Sequence, residues 1–286
     1  MIPKIIYVFW EGEMTVFVKA CFDNIKRMNP GFEVKLLTSE SIDHKPKNFY
    51  DLKVQAKSDW ARVDAVSKTG GVWIDITSIV LKPFESWIDF ESNIFHAFEV
   101  PFDCNVNVIE SWAFAAPKDC PLVHAWKNEF EQAIESEFKT YNKENDKPEC
   151  LKSWLPYLTI HQALHVARRK VQYKNVKIMK STAKNMPYNL ISQCKWDGEC
   201  FIKKLKNEND LNEIFLKFNG SLTKQFSKVI RKMNFIEKLF IHNFSHIERT
   251  LMIRIGENSK TYNYVLVMFF ILICFYRLFT CYMLSK

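Results

Sequence analysis

The chain has 286 residues, a 48% hydrophobic share, 24 phenylalanines and only 7 glycines. That length supports a full hydrophobic core, and the composition excludes a disordered, collagen-like or linker-rich chain. The formal net charge of +8 is moderate and suits a membrane surface, a nucleotide-handling cleft or RNA alike. No alternation of basic and aromatic positions resembles an RNA-binding sheet, so nucleic acid is not an expected partner. The eight cysteines (Cys21, Cys104, Cys120, Cys150, Cys194, Cys200, Cys274 and Cys281) include no C-x-x-C pair, which weakens a zinc reading. Scattered in a chain this long, they are expected to be reduced core residues. Cys194 and Cys200, flanking Lys-Trp-Asp-Gly-Glu, would close a small loop only in an oxidising compartment.

The chain opens with Met1-Ile2-Pro3-Lys4 and an apolar run over 5–10, broken at Glu11, which reads as a first strand rather than a targeting segment. Residues 15–28 carry Val18, Cys21, Phe22 and Ile25 on one face of an amphipathic helix. Asn29-Pro30-Gly31 is a turn, 32–37 a second strand, and 41–57 a loop with a short helix. A helix then runs from Ser58 as N-cap to the Gly70-Gly71 stop, with Asp59 and Arg62 three apart on one face. Residues 72–74 form a short buried strand that delivers Asp75 at its carboxyl end. An apolar strand gains no stability by ending in an acid, so Asp59, Arg62 and Asp75 read as a site able to hold a metal and a phosphate. Strand alternating with helix is the rhythm of an open α/β sheet, whose ligands bind beyond the carboxyl ends of its strands. Trp10 falls at such an end too.

Strands are expected over 94–98 and 106–115, a helix over 121–138, and a surface loop or lid over 142–149. A helix over 159–170 and a strand over 176–179 follow. His161 and His165, and again His242 and His246, are four apart but lack the glutamate of a zinc protease motif, so they read as ordinary histidines. Asp64 and Lys68 read as a surface i,i+4 pair, Trp73 as core, and Trp196-Asp197-Gly198 as a turn. Glu99, Asp103 and Glu110 are weak candidates for an acid facing an acceptor.

Residues 216–260 form a basic segment with interleaved Phe, Ile and Leu, read equally as a core helix or a helix lying on anionic lipid. Residues 262–284 are almost wholly apolar, with Arg277 the single charge, and match the ~20 residues that span a bilayer core. Lys224, Lys228, Arg231, Lys232, Lys238, Arg249, Arg254 and Lys260 precede that run and place its N-terminal side in the cytoplasm. The sequons at Asn219 and Asn243 would go unused in that orientation. The expected organisation is a catalytic domain over 1–215, a basic amphipathic segment over 216–260, and a single-pass membrane anchor over 261–286.

Five spaced motifs stand in order: Ile2-Pro3-Lys4-Ile5-Ile6 with Trp10-x-Gly12; Asn29-Pro30-x-Phe32-x-Val34; Ser58-Asp59-x-x-Arg62; Gly70-Gly71-Val72-Trp73-Ile74-Asp75; and Ile109-Glu110-Ser111 with Ala115-Ala116-Pro117 and Pro121-Leu122. Over residues 2–125 the chain resembles the DXD-containing sugar transferases. These include the capsular-polysaccharide-synthesis transferases, the initiating mannosyltransferases of glycosyltransferase family 32 and, more distantly, the glucosylating toxins. The resemblance implies a GT-A-like, Rossmann-like α/β fold, a UDP- or GDP-sugar donor, Mn²⁺ or Mg²⁺, and transfer with retention to a glycan, glycolipid or polysaccharide. It implies that Trp10 packs on the base, that Asp59 and Arg62 hold sugar hydroxyls and phosphates, and that Asp75 binds the metal. The second motif acid is replaced by Thr77, a poorer ligand, with a further ligand sought at Asn219 or Ser221. Transfer to a protein side chain, and a non-catalytic nucleotide-sugar-binding membrane scaffold, are the alternative readings.

Overall fold

The computed structural model describes residues 1–207 and 211–218. These belong to the compact unit Met1–Lys228; a second unit, Val229–Lys286, lies outside the described residues. The expected membrane run and almost all of the basic segment therefore lie outside them too. Among the described residues no helix is long and apolar enough to cross a membrane.

The first half is built as the periodicity predicts. Strand β1 (Ile5–Phe9), helix α1 (Val16–Met28), strand β2 (Glu33–Leu37), helix α2 (Val54–Thr69) and strand β3 (Gly71–Ile74) follow in order. β1 pairs in parallel with β2 and with β3, so the carboxyl ends of all three share one edge. The chain continues through β4 (Ser78–Val80), β5 (Phe95–Glu99), β6 (Ile109–Ala116), α3 (Pro121–Glu135), α4 (Phe138–Glu144), α5 (Thr159–Val171), β7 (Val176–Met179), α6 (Asn189–Gln193), α7 (Gly198–Asn207) and β8 (Phe215–Lys217). Among the described residues the main sheet has the order β2-β1-β3-β6-β5-β7, with β6 antiparallel to β3 and β5. A separate antiparallel ribbon pairs β4 with β8.

Alternation along the strands feeds two cores. On one face Tyr7, Phe9, Trp73 and Phe114 pack with Trp60, Trp126 and Phe130 from α2 and α3. On the other, Ile6, Val8, Val72, Ile74 and Trp112 pack with Val18 and Ile25 of α1 and Phe215 of β8. Strand β6 is buried throughout its length, as an interior strand covered on both faces must be.

Several expectations are corrected. Helix α2 starts at Val54, with Lys53 in the N-cap position, so Ser58 lies inside the helix and caps nothing. Val-Gln-Ala-Lys at 54–57 contains no breaker, and the helix simply extends backward through it. The Gly70 stop holds: its φ is +71°, and a Cβ there would meet the Lys118 backbone nitrogen at 2.5 Å. The predicted 121–138 helix is broken after Glu135, with Glu137 in the left-handed region at φ 64°. The expected 142–149 lid is partly helix α4, and Asn142 points inward, donating to the Thr159 hydroxyl at 2.9 Å. The 1–215 boundary cuts a strand, because residues 216 and 217 continue β8.

The cysteine expectation is also corrected. Cys104–Cys150 and Cys194–Cys200 are disulfides, whereas Cys21 and Cys120 are free and buried. The 46-residue separation of the first pair is invisible to spacing rules, because only the folded chain brings its loops together.

Candidate functional site

Helix α2 and strand β3 bring the three predicted residues into contact. Arg62 Nη2 lies 2.9 Å from Asp59 Oδ1 and 3.2 Å from Asp75 Oδ1, so one guanidinium bridges two carboxylates. The side chains of Asp59 and Arg62 are 3% and 5% exposed, and that of Asp75 is 24% exposed; Asp75 is the one open to an incoming ligand. Arg62 Nη1 donates to the Ser111 hydroxyl on β6, and the guanidinium lies over the Trp73 ring at 5.2 Å. Gln55, one turn before Asp59, donates to its second oxygen. Trp73 is core, as expected, yet its Nε1 also donates to Asp75 Oδ1 at 3.1 Å. Trp10 leaves β1 at the same sheet edge, half-buried, with its backbone nitrogen on the Leu37 carbonyl.

A fourth charged residue completes the group, and sequence reasoning missed it. Lys217 Nζ lies 2.7 Å from Asp75 Oδ2 and 5.6 Å from the centre of the Trp112 ring. Its side chain is 9% exposed. Strand β8 puts it there. Thr77 ties that strand down: its hydroxyl donates to the Phe218 carbonyl at 3.1 Å, and its own carbonyl accepts from the Phe218 backbone nitrogen at 3.2 Å. On the far side of the ribbon, the buried Asn24 side chain donates to and accepts from the backbone of Val80 in β4. Asn219 and Ser221 lie outside the described residues.

The metal expectation for Asp75 and Thr77 meets a donor set of the wrong kind. Both Asp75 oxygens are already paired with cations, Arg62 on one and Lys217 on the other, and Thr77 acts as a clamp on β8. Among the described residues no cluster of three or more His, Cys, Asp or Glu is placed to hold a metal. A hard divalent ion takes several oxygen ligands, so these residues do not fit one.

The environment splits the two aspartates. Burial pushes the Asp59 carboxyl up to about 6, with Arg62 and His161 opposing and Asp75 reinforcing the rise. Burial acts on Asp75 in the same direction, but the Lys217 and Arg62 charges outweigh it and hold Asp75 below the usual carboxylate range. Glu110, a weak candidate for an acid facing the acceptor, and His161, set aside for want of the zinc-motif glutamate, meet at 3.3 Å in a buried pair beside this group. The available signal was an acid and a serine, Glu110-Ser111, inside an otherwise apolar strand. His165 instead faces Asp146 at 3.3 Å, and His242 and His246 lie outside the described residues. The Asp64–Lys68 pair forms at 2.7 Å, but Asp64 is buried and also takes Lys127 at 3.0 Å. Glu99 is half-buried and Asp103 is exposed. The turn ends at Trp196; Gly198 already begins α7, and Asp197 caps that helix by accepting from the Cys200 backbone nitrogen at 2.7 Å.

A family model described as capsular polysaccharide synthesis protein matches residues 1–227. The chain belongs to this family. The match extends through β8. Among curated proteins none matches significantly. Among solved structures, it is similar to a glycosyltransferase involved in the glycosylation of the major capsid of PBCV-1, with 13% identity, a TM-score of 0.47, and 78% of this chain and 97% of that one covered. It is also similar to the PaToxG glycosyltransferase, with 14% identity, a TM-score of 0.42 and coverage of 83% and 87%. The galactosyltransferase LgtC, in complex with donor and acceptor sugar analogues, shows 10% identity, a TM-score of 0.43 and coverage of 80% and 96%. Similarities at this level carry none of those proteins' chemistry to this chain.

Proposed function

We propose that this member of the capsular polysaccharide synthesis family is a glycosyltransferase, moving a sugar from a UDP- or GDP-sugar to a glycan, glycolipid or polysaccharide acceptor. The observation that carries the reading is the Asp59–Arg62–Asp75 chain, set at the carboxyl edge of parallel strands beside Trp10. In transfer, the bond from the sugar C1 to the phosphate oxygen breaks as a bond to the acceptor hydroxyl oxygen forms. The nucleoside diphosphate leaves with the electron pair, and the acceptor proton passes to that diphosphate or to solvent. Fixed positive charge aimed at the leaving oxygens is the main contribution a protein can make to this step. Arg62 is such a charge, held in place by two carboxylates and a hydroxyl. Asp59, joined to it, is positioned for the sugar hydroxyls, and Trp10 for the base. Retention of configuration remains part of this reading, as does a membrane tether over 262–284 that would keep the enzyme beside lipid-linked acceptors.

The test is release of nucleoside diphosphate from a panel of UDP- and GDP-sugars, with and without glycan acceptors. Asp75→Asn is expected to lower turnover at least about 100-fold, the scale on which a preorganised electrostatic contact acts. Wild-type turnover in a folded Asp75→Asn variant would remove the assignment.

A further inference from the structure

Building on the transferase reading, we infer that Lys217 acts with Arg62 as the built-in cation for the donor diphosphate, doing the work otherwise done by a divalent metal. Asp75 is then an anchor for two fixed positive charges. Its Oδ1 takes Arg62 and Trp73 and its Oδ2 takes Lys217, so an ion could bind only by sharing an oxygen with a fixed cation. A divalent cation docking on Asp75 would also meet two like charges at close range, a repulsion strengthened by the low-dielectric wall behind them.

Lys217 is suited to the task by its hydrogen-bond inventory. An ammonium has three donors; one reaches Asp75 at 2.7 Å and a second points at the Thr77 hydroxyl at 3.5 Å, which leaves a third for a phosphate oxygen. Arg62 likewise keeps its buried Nε–H without a hydrogen-bond partner among the described residues. A lysine normally surrenders much rotamer freedom when it is fixed, and here that cost is met by a dedicated support. Trp112 lies beneath the ammonium, and the Thr77–Phe218 backbone clamp and the Asn24-locked β4–β8 ribbon hold its strand. Replacement of the second motif acid by Thr77 fits the same design, since a carboxylate there would pull the ammonium away from the ligand.

The deciding experiment is calorimetric titration of the full-length chain in mild detergent with UDP and with GDP, in EDTA and in Mn²⁺. The wild type is expected to bind one of them with affinities in the two buffers that agree within about threefold. Lys217→Met should weaken binding about 10- to 100-fold in both buffers, the range for losing one charge-assisted contact, and Lys217→Arg should restore most of it. Wild-type binding that appears only with Mn²⁺, or Lys217→Met binding as tight as wild type, overturns the inference while leaving the transferase reading standing. No binding of either nucleotide in either buffer overturns both. Because the first comparison uses the wild type alone, a variant that fails to fold does not blunt the test.

Discussion

Asp59 and Asp75 share one guanidinium, at 2.9 and 3.2 Å, yet they respond to pH in opposite ways. Asp75 stays ionised well into acid because Lys217 and Arg62 outweigh its burial. Asp59 is pushed up to about 6 by burial. A raised folded-state value means that folding favours the protonated form. The stability from that shift is present below the ordinary value of 3.8 and is lost as pH rises through about 6. Function runs the other way, since Asp59 must be ionised to pair with Arg62 and to accept from sugar hydroxyls. Donor binding by the wild type should weaken roughly tenfold between pH 7 and pH 5, and Asp59→Asn should flatten that dependence. Titration calorimetry across the range checks it; a wild-type profile flat to pH 5 would contradict the assignment. Asp59, Arg62 and Asp75 were legible in the sequence, because charges interrupting apolar periodicity stand out. Lys217 was not, since one lysine in a basic segment carries no local mark.

At the scale of elements, the ribbon β4–β8 decides where Lys217 sits. Each strand has three described residues, too few to show a period, and their pairing is set by contacts far apart in sequence. Asn24 of α1 substitutes for a neighbouring strand, exchanging two hydrogen bonds with Val80 at 3.1 and 2.7 Å. Asn24→Ala leaves a buried donor and acceptor unmet and should cost about 1–3 kcal/mol of stability. It should also weaken nucleotide binding, because the ribbon that carries Lys217 loosens. Thermal melting and titration of the same preparation read the two effects; a destabilised variant that binds normally would separate the ribbon from the site. The strands β1, β2 and β3 were legible for the opposite reason. Strands β1 and β2 run five residues each, Asn-Pro-Gly and Gly-Gly punctuate the chain before β2 and β3, and all three pair within the first 74 residues.

For the whole molecule, the two disulfides bear on where this unit works. Disulfides form and persist in oxidising compartments, which stands against the cytoplasm-facing orientation expected from the basic residues before the apolar run. Alkylation of the unfolded, unreduced chain followed by mass spectrometry should leave Cys104, Cys150, Cys194 and Cys200 unlabelled and Cys21 and Cys120 labelled. Reduction should lower stability by about 2–4 kcal/mol per bridge, more for the bridge with the 46-residue separation than for the one with a separation of 6. Full labelling of all four would return the unit to a reducing environment.

The sequence by itself determined the α/β rhythm, the sheet edge that gathers Trp10 and Asp75, and the acid–cation pair on α2, since each is written in local periodicity and short spacing. Tertiary structure alone decided the partners of Asp75, the clamp role of Thr77, the Glu110–His161 pair and both disulfides. Those features depend on which distant segments pack together, and the free energy that selects such packing comes from burial spread over the whole core rather than from any motif.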